Sequence, residues 1–133
     1  MTMTASTFKP DALIRVPAAG DTFFRMWLVF LKPYHGLTDR QLDIAAALLY
    51  HRHILSSKIS DPRLLDEAVM GDSVKRAILD ECNINVGHFQ VIMGELRRHK
   101  FILGNRINPR YIPIFDESRG SFSLMIYFQT GDV

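Results

Sequence analysis

Between Arg97 and Arg110 the sequence carries five cationic side chains, Arg97, Arg98, Lys100, Arg106 and Arg110, and no Asp or Glu. Guanidinium and ammonium groups in such a run suit phosphate oxygens. Just upstream, Gln90 is the residue type that bonds an adenine edge with two hydrogen bonds, and His88 can donate to a guanine acceptor. Over the whole chain the signs nearly cancel: 16 Lys+Arg against 14 Asp+Glu leave +2 with His neutral. Bulk charge therefore marks no polyanion ligand, and only its distribution points to one. A plainer reading competes, because cations at the end of a helix complement its dipole and stand solvated.

Other chemistry finds little support. His51 and His53 are two residues apart and so fall on different faces of a helix, which spoils chelation on one turn. His53 continues an apolar stripe and reads as a core or boundary residue. Cys82 is the single cysteine; at a helix end it packs as a small hydrophobe rather than acting as a nucleophile. Asp80 and Glu81 are adjacent carboxylates, not a facing pair. No phosphate-binding glycine loop or dinucleotide fingerprint occurs. The expectation is a protein that is not an enzyme, with no catalytic residues, no metal site and no cofactor.

The elements that must position the cations follow from periodicity. Phe23, Trp27, Phe30 and Leu31 share one face of a helix over residues 22–31, capped by Asp21 or Thr22 and ended by Pro33. A buried strand also fits this aromatic run, and helix is preferred. Thr38-Asp39-Arg40-Gln41 is a capping box that opens a helix from Asp39 to about Leu55. Its stripe is Leu42, Ala45, Ala46, Leu49 and His53, with Ile44, Leu48 and Leu55 beside it. Asp61-Pro62 starts a short helix to Met70, with Gly71 expected as a left-handed cap. Asp72 or Ser73 then caps a helix with Val74, Ala77 and Ile78 inward. Cys82-Asn83-Ile84-Asn85 breaks the chain, and Asn85 caps a helix over Val86–His99. Its inward stripe is Phe89, Ile92, Met93 and Leu96. Two short helices across a turn of about four residues, the second ending in basic residues, make a helix-turn-helix pattern.

Beyond it the period falls from 3.6 to 2. Gly104-Asn105 is a turn signal after Phe101-Ile102-Leu103, and Phe122, Leu124, Ile126 and Phe128 alternate as a half-buried strand. Pro109 and Pro113 demote Asn108–Phe115 to an edge or an extended connection.

The length of 133 residues makes one domain. With 47% hydrophobic and 23% charged residues the chain has enough apolar material to offset the entropy of folding, which rules out disorder over its whole length. One cysteine rules out a disulfide scaffold. No window approaches the roughly 18 consecutive apolar residues of a membrane span. The start lacks the basic and apolar regions of a signal peptide. These features predict an arm over residues 1–20, in which Leu13, Ile14 and Val16 can lie on a neighbouring surface, and a single domain over 21–133 in the cytoplasm.

The stretch from Asp80 through Phe89, and Leu96-Arg97-Arg98-His99-Lys100-Phe101-Ile102 after it, resembles the helix-turn-helix and strand entry of the winged-helix superfamily. The likeness covers roughly residues 38–129. It implies a mainly α fold with a small β-wing: about four helices and a two- to three-stranded antiparallel sheet. The helix-turn-helix would span about 72–99, and the wing and strands about 101–129. More loosely, residues 30–38 and 107–113 look like small proteins of large tailed bacteriophages, crAss-like ones included, which carry no established role. That likeness places the chain in a host cytoplasm, or in a virion.

Two functional expectations follow. In the first, the chain is a phage-type winged-helix protein that binds double-stranded DNA and regulates transcription. Asn85, His88 and Gln90 face bases, Arg97, Arg98 and Lys100 face phosphates, and Arg106 and Arg110 reach a second stretch of backbone from the wing. In the second, the same fold serves as a protein-interaction or virion-assembly adaptor. There Val91 and Gly94, uncharged where DNA readers usually carry polar groups, join Phe23 and Trp27 as a contact surface for a second copy or an assembly partner. Glu95 speaks for this reading, since DNA repels it.

Overall fold

The computed structural model describes residues 20–114 and 130–131. They form a mainly helical structure with a small two-stranded antiparallel sheet. The helices are α1 (Gly20–Phe30), α2 (Lys32–His35), α3 (Asp39–Ser56), α4 (Pro62–Val69), α5 (Asp72–Glu81) and α6 (Val86–Arg98). Strands β1 (Ile102–Leu103) and β2 (Arg106–Ile107) follow, and then a 3-10 turn over Pro109–Tyr111. Six helices among the described residues exceed the four or so that the resemblance implies, and one-turn α2 is the one that periodicity did not mark. The arm (Gly20 apart, which begins α1), the loop 116–120 and the strand 122–128 lie outside the described residues.

Helix α3 is the centre. Thr38 opens it with both bonds of the capping box: its Oγ1 accepts from the Gln41 N–H, and the Gln41 Oε1 accepts from the Thr38 N–H at 3.0 Å. It buries Leu42, Ile44, Ala45, Ala46, Leu48 and Leu49. At 100° per residue these cover an arc of about 200°, wider than the single stripe of a surface helix. An element apolar over half its circumference needs neighbours on several sides, and α1, α4, α5 and α6 all pack on it.

On α1 the buried edge is shifted by one residue from the expected face. Phe24 and Leu28 are the buried pair; Phe23, Trp27 and Leu31 pack partly, and Phe30 is exposed. The shift follows from α3, whose Tyr50 and His53 rings stand 6.4 and 5.5 Å from the Phe24 ring. Pro33 acts as expected at the end of α1, but the chain resumes as α2, with the proline in its first turn where its missing N–H is harmless. Gly36 then stops it in the left-handed conformation, φ +66.

Asp61 caps α4 by accepting from the Arg63 N–H at 3.0 Å. Gly71 is not the left-handed cap expected of it. It has φ −85 and ψ 176 and serves as the N-cap of α5, without a side-chain bond from Asp72 or Ser73. Extended backbone of this kind is open to any residue. Within α5, Val74 and Ile78 are buried and Ala77 only half so.

Two matching caps decide the geometry of α6. At the end of α5 the Ile84 N–H donates to the Leu79 carbonyl and the Asn83 N–H to the Asp80 carbonyl, with Asn83 at φ +52. This is the paired closure of a Schellman motif, and asparagine is among the few side chains that visit this backbone region routinely. Asn85 at once caps α6, its Oδ1 accepting from the His88 N–H at 2.7 Å. The turn Cys82–Asn85 thus satisfies both helix ends within four residues.

The hairpin closes through Gly104, φ +63, at the first position of a two-residue turn, where the primed turns that fit strand twist call for glycine. Ile102 pairs with Ile107 and both are buried; Leu103 pairs with Arg106 and both are exposed. Asn108–Phe115 was expected as an edge or extended connection. Its first part is instead the 3-10 turn, which buries Tyr111.

Candidate nucleic-acid interface

All four residues of the α6 stripe, Phe89, Ile92, Met93 and Leu96, are buried. The opposite side stands open. His88, Gln90, Gly94, Arg97 and Arg98 are exposed, and Val86 and Val91 expose 49% and 62% of their surface. Every cation of the run from Arg97 to Arg110 is exposed as well.

These cations are not equivalent. Arg98 is paired with Glu95 one helical turn back, while Arg97 has no ion pair among the described residues. An exposed pair of this sort is worth little energy, yet it partly neutralises the charge a phosphate would meet. Asn85 is also committed: its side-chain oxygen holds the first turn of α6 together, so its first task is to cap rather than to touch a base.

Lys100 occupies the most telling position. After the C-cap His99, the Lys100 N–H donates to the Arg97 carbonyl and the Phe101 N–H to the Leu96 carbonyl. That is a second Schellman closure, with Leu96 and Phe101 both fully buried at its two ends. Its left-handed residue is Lys100, φ +63, where glycine is the usual occupant. A side chain there costs roughly 1–2 kcal/mol through the clash of its Cβ with the following carbonyl.

Asn108 holds that strained residue in place. Its Nδ2 donates to the Lys100 carbonyl at 2.9 Å, and its own N–H donates to the Phe101 carbonyl at 2.8 Å. Its Oδ1 accepts from the Arg110 N–H at 3.1 Å, starting the 3-10 turn. One side chain thus links the backbones of two of the cations, Lys100 and Arg110. Sequence reasoning passed over Asn108; the Asn-Pro pair, a turn initiator, is the signal that marks it.

The proposed protein-contact residues divide. Val91 lies in the open, and a Cβ added at Gly94 would meet nothing within 4 Å. Phe23 and Trp27 instead pack partly against the core, and the Trp27 indole N–H donates to the Tyr111 carbonyl at 2.8 Å. The exposed apolar surface of this region is Val29, Phe30 and Tyr34.

Behind the interface lies His35, a buried polar residue that periodicity did not single out. Its Nδ1 accepts from the Leu37 N–H at 3.0 Å, which leaves the proton on Nε2 to donate to the Leu28 carbonyl at 2.7 Å. Burial pushes its pKa below the ordinary 6.5, His99 and Lys32 push the same way, and the Leu28 bond opposes them. Burial raises the pKa of the Cys82 thiol, and the charge of Arg40 opposes that shift. Among the described residues no three His, Cys, Asp or Glu side chains stand close enough to hold a metal ion. No described helix is long and apolar enough to cross a membrane.

Set against known proteins, the chain matches no family model, no curated protein and no solved structure.

Proposed function

We propose that this chain is a winged-helix protein of phage type that binds double-stranded DNA through the open side of α6 and the cations that follow it, and that it regulates transcription. Lys100 carries the reading. Glycine would close the helix at lower energy, so a lysine in that position is explained by what its ammonium does rather than by the fold. His88 and Gln90 sit toward the start of α6, where a recognition helix meets base edges. Arg97 and Lys100 at its end, with Arg106 and Arg110 beyond, suit the phosphates on either side.

Fluorescence anisotropy with a random duplex, a single strand and a duplex RNA, each titrated with salt, tests it. Binding to duplex DNA should fall with salt at a log–log slope of about −3 to −4, as expected for some four phosphate contacts. No duplex binding at low salt would end the proposal.

One observation favours a second reading. Val91 exposes apolar surface one turn from Gly94 on the open side of α6, and Val86 exposes more in the first turn. This suits a protein surface, whether a second copy of the chain or a virion component. That reading predicts no duplex affinity at moderate salt and a stable oligomer or a co-purifying partner.

A further inference from the structure

Arg97 and Arg98 leave α6 in different directions. At 100° per residue, Arg98 stands about 170° from the centre of the buried stripe Phe89, Ile92, Met93 and Leu96. Arg97 is only about 90° from it by the same measure, and so leaves from the flank of the helix. A helix lying in a groove turns its flanks to the phosphate walls and the side opposite its core to the floor, where base edges are. Of the two arginines, Arg98 is the one aimed at the floor.

It is also the one already held. Its Nη2 donates to the Glu95 carboxylate one turn back, although 70% of the Arg98 side chain is open to solvent. Side chains on a helix lean toward its N-terminus, so this bond keeps the guanidinium over the turn of Glu95 rather than beyond the helix end. Gly94 lies in that turn on the open side, and a Cβ added there would meet nothing within 4 Å. With no side chain at Gly94, a flat surface can come close to the guanidinium.

Glu95 suits neither a phosphate contact nor a solvated helix end. Beside a phosphate its carboxylate repels the ligand and offsets the charge that would bind it. In the last turn of α6 it also opposes the helix dipole. What the carboxylate supplies is direction. A guanidinium fixed along one edge has given up rotamer freedom before binding and keeps its remaining N–H donors in one plane. A bidentate contact with guanine O6 and N7 needs that arrangement, and guanine alone presents two acceptors side by side in the major groove.

We propose that Arg98 reads a guanine in the major groove of the bound duplex, and that Glu95 is the positioning residue that orients it. The assignment rests on duplex binding through α6. It adds to that reading one fixed base and the residue pair that chooses it.

Enrichment of sites from a randomised duplex pool by the full chain, followed by anisotropy on the enriched site, tests it. That site should contain a guanine whose replacement by adenine weakens binding about tenfold. Replacement by 7-deazaguanine, which keeps the base pair and lacks the N7 acceptor, should weaken binding too. Arg98→Ala should bind the guanine and adenine duplexes alike, with its random-duplex affinity falling less than that of Arg97→Ala. Glu95→Gln should narrow the preference for guanine while random-duplex affinity rises, a split that loss of folded protein does not produce. A guanine preference that Arg98→Ala retains overturns the assignment, as does one that Glu95→Gln leaves at full strength. So does an enriched site without such a guanine. In each of these cases the chain still binds duplex, whereas absence of any duplex binding removes the DNA reading itself and this assignment with it.

Discussion

The indole N–H of Trp27 donates to the Tyr111 carbonyl at 2.8 Å, a bond across 84 residues that ties α1 to the segment carrying Arg110. The Tyr111 ring stacks on Phe101 at 5.7 Å and meets the His35 ring at 5.9 Å. Trp27→Phe keeps most of the apolar contact and strands a part-buried carbonyl. It should cost about 1–2 kcal/mol, measured by urea denaturation followed by circular dichroism. An unchanged midpoint would show that solvent already satisfies Tyr111.

His35 makes the fold sensitive to acid. Its pKa in the folded chain lies below 6.5, first because of burial and then because of His99 and Lys32, against the opposing bond to Leu28. The unfolded chain therefore takes up a proton before the folded one does. The stability His35 contributes is complete above 6.5 and is lost as pH falls from there toward the folded value. Protonation also forfeits the bond that Nδ1 accepts from the Leu37 N–H. Urea midpoints from about pH 8 to pH 5 should fall on the acid side, and His35→Gln should flatten that fall.

Arg97 and Arg98, adjacent in sequence, should differ in effect. Arg97→Ala is expected to weaken binding to all duplexes and to reduce the salt slope by about 1. Arg98→Ala should do less, since Glu95 already offsets its charge. Glu95→Gln should strengthen duplex binding by freeing Arg98. Equal losses in the two alanine variants, read from the same anisotropy titrations, would count against this arrangement.

Lys100→Gly separates fold from function most cleanly. Relief of the left-handed strain should raise stability by about 1 kcal/mol. The same change removes a phosphate contact and should weaken duplex binding. A variant that is more stable yet binds as before would leave the lysine without a functional reason.

Gly94 offers a parallel case inside α6. A Cβ there meets nothing within 4 Å, so Gly94→Ala should stabilise the helix by about 1 kcal/mol. Should a partner approach α6 along this side, the added methyl group will weaken that contact while the melting temperature rises.

Much of the architecture was legible from local chemistry. The capping box at Thr38, the Asn85 cap, the stripe Phe89, Ile92, Met93 and Leu96, and the Gly104 turn each depend on neighbours within a few residues. Periodicity and cap chemistry therefore sufficed to place α3, α6 and the hairpin, and with them the exposed cations. Tertiary packing decided the rest. The face that α1 buries was set by the Tyr50 and His53 rings of α3. The bonds of Arg40 to the Cys82 carbonyl and of His51 to Glu81, across 42 and 30 residues, depend on which side chains meet in space. Gly71 shows the limit from the other direction: its sequence context suits a left-handed cap, yet the chain runs on extended to begin α5. Hydrogen bonds within a turn act over a few ångströms of contiguous chain and are written in residue order. The environment of a charge is made by segments dozens of residues apart, and it exists only once they have packed.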